Sequence, residues 1–131
     1  MTRRLLICLF LIGILCSYHP KQCLILRFQN DSEEDFKQLK VYTVSGFYYF
    51  FNLSKGKSTD PIEVANSYKF TYAEAITSND TLVTYGFCRT GEKIYTQGEM
   101  LMKFKIGPKD VDGKRHLLIK AELKQDIQQL Q

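Results

Sequence analysis

Polar and apolar residues alternate along much of this chain with a period of two, the mark of strands with one buried face. In Tyr68-Lys69-Phe70-Thr71-Tyr72 three aromatics fall on one side, and in Met102-Lys103-Phe104-Lys105-Ile106 three apolar groups oppose two lysines. Ile119-Lys120-Ala121-Glu122-Leu123 repeats the pattern, and residues 24–28 and 81–85 read as further strands. The run over residues 41–51 is longer and more apolar, as for a strand covered on both faces or lining a cavity. Ser78-Asn79-Asp80 separates two strands closely enough for a hairpin, and Gly107-Pro108 and Asp112-Gly113 bracket a loop between two more. Six or seven short strands in about 110 residues predict an all-β sandwich or barrel.

Two segments hold open an α+β alternative with one or two short helices. Ser32-Glu33-Glu34-Asp35 has the form of a capping box with Phe36 and Leu39 behind it. Asp60-Pro61-Ile62-Glu63 offers an N-cap, a proline at the first helical position and an acid at the third. The tail also sets Leu123, Ile127 and Leu130 on one helical face.

The amino terminus follows another logic. Arg3 and Arg4 precede an apolar run over residues 5–16 that gives way to polar residues and Pro20. This is the charged start and short apolar stretch of a secretory signal, and it is shorter than the roughly 20 residues of a membrane span. Residues 1–18 are expected to be that signal and residues 19–131 a single secreted domain, with an uncleaved anchor as the alternative. Three of the four asparagines, Asn30, Asn52 and Asn79, head N-x-[ST] triplets and are candidate glycosylation sites on exposed surface. Cys8 and Cys16 leave with the signal, so Cys23 and Cys88 remain to pair in an oxidising compartment; free thiols or an intermolecular bridge are the competing readings.

Composition narrows the function. Hydrophobic residues make up 44% and charged residues 24%, which is globular rather than disordered. Nine Phe and eight Tyr with no Trp favour strands. Without Arg3 and Arg4 the net charge falls from +4 to two, which argues against a nucleic-acid partner. His19 and His116 are the only histidines; with Cys23 and Cys88 they lack the close C-x-x-C or H-x-x-x-H pairing of a zinc site, and His116, beside Lys114 and Arg115 at the start of a strand, reads as a solvated strand-end residue rather than the base of a Ser-His-Asp site. Gly56-Lys57-Ser58 lacks the earlier glycine of a phosphate-binding loop, because Phe51 stands there, and reads as a polar turn. Glu33-Glu34-Asp35 reads as cap residues and solvated charge. The lysines of the last third read as the solvent face of edge strands, with anionic lipid heads or glycans as the functional alternative. No enzyme, cofactor or metal is expected.

Phe47-Tyr48-Tyr49-Phe50-Phe51 is the most informative stretch. In a strand, Phe47, Tyr49 and Phe51 point one way while Tyr48 and Phe50 point the other. A small domain has one interior, so the second face needs a cover: an apolar ligand, a partner protein, or loops and the tail.

Phe87-Cys88-Arg89-Thr90-Gly91-Glu92-Lys93-Ile94-Tyr95 resembles the ML lipid-recognition domain, particularly its Toll-like-receptor co-receptor branch. There a cysteine is followed by a basic residue, Gly-Glu and a strand carrying Ile-Tyr. Leu26-Arg27-Phe28 and Glu34-Asp35-Phe36-Lys37-Gln38-Leu39 are similar to the corresponding region of that branch, as is Gly113-Lys114 leading into the strand over residues 117–123. The resemblance spans roughly residues 24–124, although the chain offers one disulfide where the family usually has several. It implies an immunoglobulin-like β-sandwich whose sheets splay around an acyl chain, sterol or glycolipid, with Cys88 as a disulfide cysteine. Alternation then makes Phe47, Tyr49, Phe51, Phe70, Tyr72, Phe87 and Phe104 the candidate cavity lining.

Two functional expectations follow. The first is a secreted, non-enzymatic protein that holds a lipid or other apolar small molecule between two sheets, as a receptor accessory factor in innate immunity. The second is a cytokine-like or decoy protein with a solid core that binds a receptor ectodomain through its surface.

Overall fold

Eight strands and no helix form among the described residues, 23–86 and 90–124, of the computed structural model. They are β1 (Leu24–Asn30), β2 (Phe36–Thr43), β3 (Gly46–Leu53), β4 (Ile62–Val64), β5 (Ala73–Ile76), β6 (Thr81–Val83), β7 (Gly98–Ile106) and β8 (Leu117–Lys124). One sheet has the order β4-β1-β7-β8 and the other β3-β2-β5-β6, so the fold is a β-sandwich. All neighbours are antiparallel except β1 and β7, which run parallel from Leu24 beside Gly98 to Asn30 beside Phe104. The amino-terminal strand is thereby placed inside its sheet, between β4 and β7.

Alternation builds the core. Leu24, Leu26 and Phe28 of β1 face inward with Met100, Met102 and Phe104 of β7, and meet Leu39 and Val41 of β2, Ala73 and Ala75 of β5 and Leu82 of β6. The Phe28 ring centroid lies 5.3 Å from that of Phe50 and 6.1 Å from that of Phe104, in the tilted geometry that aromatic quadrupoles favour.

The α+β alternative is not what forms. Ser32 does not cap a helix: its hydroxyl donates to Oδ1 of Asn30 and to the carbonyl of Glu34, which bends residues 31–35 instead. Ile62–Val64 becomes the edge strand β4, paired antiparallel with β1. Residues 41–51 are two strands rather than one. A two-residue turn at Val44-Ser45 joins β2 to β3, with the Thr43 hydroxyl accepting from the Ser45 amide and donating to the Gly46 carbonyl, and Gly46 takes φ 119°. The expected strand over residues 68–72 is irregular chain, and the ladder with β2 begins only at Ala73. The hairpin at Ser78-Asn79-Asp80 forms, joining β5 and β6, as does the loop between β7 and β8. Residues 1–18, Phe87, Cys88, Ile127 and Leu130 lie outside the described residues, so the signal segment and the tail helix do too. The expected bridge between Cys23 and Cys88 involves a residue outside the described ones.

Asn30 overturns one glycosylation expectation. It is fully buried, and its Nδ2 donates to the carbonyls of Glu34 (2.8 Å) and Leu53 (3.0 Å) while its Oδ1 accepts from the Ser32 amide. A glycan on that nitrogen is incompatible with this packing. Asn52 and Asn79 are exposed.

Candidate functional site

The two sheets show different outer faces. On the β4-β1-β7-β8 sheet, Lys103 pairs with Glu122 (2.9 Å), Lys120 with Glu122 (3.4 Å) and Lys124 with Glu99 (3.5 Å), a solvated face laced with ion pairs. On the β3-β2-β5-β6 sheet, Phe47, Tyr49 and Phe51 of β3 point outward and are 49%, 50% and 66% exposed. Tyr42, the cross-strand partner of Phe47, is exposed as well, with the two ring centroids 5.1 Å apart. The Tyr42 amide donates to the carbonyl of Tyr72 (2.9 Å), another exposed aromatic, so Phe47, Tyr42 and Tyr72 form a row across the sheet. Phe70 is exposed two residues before Tyr72.

Polar groups interrupt this surface in a fixed pattern. Lys40 stands opposite Tyr49 on one side and Glu74 on the other, and Gln38 lies opposite Phe51. The Lys40 ammonium lies 4.4 Å from the centroid of Phe47 and 5.8 Å from that of Tyr49, within reach of cation–π attraction. Tyr, Phe and a sparse set of charges that can make hydrogen bonds are the composition of protein-docking surfaces.

The expected cavity lining is therefore corrected. Phe47, Tyr49, Phe51, Phe70 and Tyr72 lie on the outside, Phe104 is solid core, and Phe87 lies outside the described residues. The separation of Phe47, Tyr49 and Phe51 from Phe50 by alternation holds, but the inward member is Phe50. The two cavities of note are surface depressions. One, of about 360 Å³, is lined by Asp31, Ser32, Glu33, Glu34, Lys105 and Arg115 among others; the second, of about 280 Å³, lies by Arg27, Ser58 and Glu99. Neither is bordered by an aromatic residue. Residues 94–95, where the ML resemblance implies a strand, hold a single bridge between Tyr95 and Ser67.

One ionic cluster escaped the sequence analysis. The Arg115 guanidinium, from the β7–β8 loop, donates through Nη2 to Oδ1 of Asp80 (2.7 Å) and through Nε to Oδ2 (3.0 Å), and also pairs with Glu34. It thereby ties the β7–β8 loop of one sheet to the β5–β6 turn of the other and to the β1–β2 bend that joins the two. Hydrogen bonding to Arg115 is the main reason both carboxyls, Glu34 and Asp80, lie below their usual range. Nothing in the residues around Arg115 or around Glu34 in the sequence signals this, because the partners are 35 and 81 positions apart. His116, expected to be a solvated strand-end residue, is instead largely covered: its Nε2 lies 2.7 Å from Oδ2 of Asp110, and its ring stacks on Tyr85. That contact is the leading cause of the lowered Asp110 pKa. Among the described residues no group of three His, Cys, Asp or Glu could hold a metal ion, and no helix is long and apolar enough to cross a membrane.

The clamp makes stability acid-sensitive. Glu34 and Asp80 have folded pKa values below their unfolded ones, so their contribution is complete above the unfolded carboxylate range and is lost as pH falls through the folded values. Urea titrations should give constant stability from about pH 7 to about pH 5 and a decline below about pH 4. Arg115→Met should cost about 1–2 kcal/mol at pH 7, since the groups are partly solvated, and should flatten that decline.

No protein-family model matches this chain, and no curated protein does. Among solved structures it is similar to the NMR structure of a protein from Eubacterium rectale, at 13% identity and a TM-score of 0.53, covering 79% of this chain and 93% of that one. At that identity the likeness concerns the fold.

Proposed function

We propose that this chain is a non-enzymatic binding module that docks a protein surface, of the kind a cell-surface receptor ectodomain presents, through the outer face of the β3-β2-β5-β6 sheet. The observation that carries the reading is the contrast between the outer faces: ion pairs on one, and Phe47, Tyr49, Phe51, Tyr42 and Tyr72 in the open on the other. Scattered apolar residues on a surface need no explanation, whereas a contiguous aromatic patch with a polar rim marks an interaction site. The filled interior around Phe28, Phe50 and Phe104 favours this surface reading over a ligand held between the sheets. The amino-terminal pattern of Arg3, Arg4 and the apolar run supports a secreted module.

The test is saturable binding of the labelled full chain to animal cells. A triple variant, Phe47→Ser with Tyr49→Ser and Phe51→Ser, is expected to bind about tenfold or more weakly while remaining folded, and Lys120→Ala on the opposite sheet should bind as wild type. Equal loss in both variants, or no saturable binding by wild type, would sink the reading.

A further inference from the structure

The sandwich has four edge strands, and three are protected in ordinary ways. β4 and β6 have three residues each, too short to template another strand, and β8 carries Lys120, Glu122 and Lys124. β3 has eight residues, Gly46-Phe47-Tyr48-Tyr49-Phe50-Phe51-Asn52-Leu53, with neither a charge nor a proline. Strands of this composition are the ones natural proteins take trouble to cover.

The backbone of β3 is also oriented for pairing. The Tyr42 amide donates away from β3, to Tyr72, so Tyr42 and Phe47 form one of the non-hydrogen-bonded pairs of the β2–β3 ladder. Antiparallel alternation then turns the N–H and C=O groups of Phe47, Tyr49 and Phe51 toward the outer edge, where no other strand among the described residues pairs. The usable length has ends. Gly46 closes the turn at one, and Asn52 takes φ 54° at the other, where Lys37 and Asn52 drop out of the ladder and the inward phase slips to Leu53.

We propose that β3 pairs antiparallel with β3 of a second copy of this chain, joining two four-stranded sheets into one of eight; the aromatic half of this argument rests on the docking reading above. The segment is self-complementary. A two-fold axis at Tyr49 sets Phe47 against Phe51 of the second copy, all three open residues bond in matched pairs, and no like charges meet across the new ladder, because the nearest cation, Lys40, lies one strand further in. Cross-strand aromatic pairs add to the ladder, and the exposed rows of the two copies become one continuous aromatic surface. The contact falls short of the roughly 800 Å² per partner of a standard interface, so dissociation in the micromolar range is expected.

The test is sedimentation velocity of the full chain, expressed in animal cells and kept under reductant so that Cys23 forms no bridge, from about 1 to about 200 µM. Wild type should pass from monomer to dimer. Tyr49→Pro removes the central outward N–H, which the β2 ladder does not use, and should stay monomeric with an unchanged circular dichroism spectrum. Tyr49→Ala keeps that N–H and should still dimerise, weakened about tenfold or less. A monomeric wild type, a dimer that survives Tyr49→Pro, or equal weakening by both substitutions overturns the proposal. Should Tyr49→Pro unfold, amide exchange on wild type decides: the Phe47 and Tyr49 amides become protected as concentration rises, or the proposal falls. A monomer that still binds cells through the aromatic residues overturns the pairing alone. A dimer that binds no cells supports the pairing and removes the receptor reading.

Discussion

Phe28→Ala is expected to destabilise this protein by about 3–5 kcal/mol, whereas Phe51→Ala, which also deletes a phenyl ring, should change stability by less than about 0.5 kcal/mol. Phe28 is fully buried in β1 within ring contact of Phe50 from the other sheet and Phe104 from its own, so its removal leaves a void in the middle of the shared core. Phe51 is mostly solvated and opposes Gln38 on the outer face. Denaturant titrations of both variants measure the difference directly. Similar losses in the two would mean that the outer face of β3 is as well packed as the core, and that the aromatic surface described above is not open.

Asn30→Ala should cost a comparable amount, about 3–4 kcal/mol, although only polar contacts are at stake. The side chain closes the carboxyl end of β1. Its Nδ2 satisfies the carbonyls of Glu34 and Leu53, its Oδ1 takes the amide and hydroxyl of Ser32, and its backbone carbonyl receives the Gly56 amide. Alanine would take the Asn30 partner from the Leu53 carbonyl and the Ser32 amide and leave the Glu34 carbonyl with the Ser32 hydroxyl alone, in a place where water has little access. Asn30→Asp is the more severe control, since a carboxylate brings a charge and cannot donate to either carbonyl. A melting temperature within a degree or two of wild type for Asn30→Ala would show that water replaces the side chain there.

Much of the sandwich was legible in the sequence, because period-two alternation is a local property. Residues 24–28, 102–106 and 119–123 became parts of β1, β7 and β8 as their patterns required. What local alternation supplies is parity, not direction. It placed Phe47, Tyr49 and Phe51 together and Phe50 against them, yet could not say which set faces the interior. The missing clue was the cross-strand partner. Once the turn at Val44-Ser45 is recognised, Tyr49 falls opposite Lys40 and Phe51 opposite Gln38, while Phe50 falls opposite Leu39 and Tyr48 opposite Val41. The polar partners identify the outer face. Taking residues 41–51 as one strand hid that comparison, even though Ser45-Gly46 is an ordinary turn dipeptide. The Asn30 sequon misled for a related reason: a triplet records chemical competence, and only the fold decides whether the nitrogen is already committed.

The parallel seam between β1 and β7 shapes how the molecule is made. Leu24 must find Gly98, 74 positions later in the chain, before the first strand has both of its neighbours. Closing so long a loop is entropically costly, and a topology rich in such distant pairings belongs with folds that mature in milliseconds to seconds rather than microseconds. During synthesis β1 leaves the ribosome long before β7 exists, and at about 5–20 residues per second the interval amounts to several seconds. Over that interval Leu24, Leu26 and Phe28 have no completed core to enter, and the hairpin of β2 and β3 stands with one face unprotected. The nascent chain therefore carries apolar strands that cannot be buried in their native core until its seventh strand arrives.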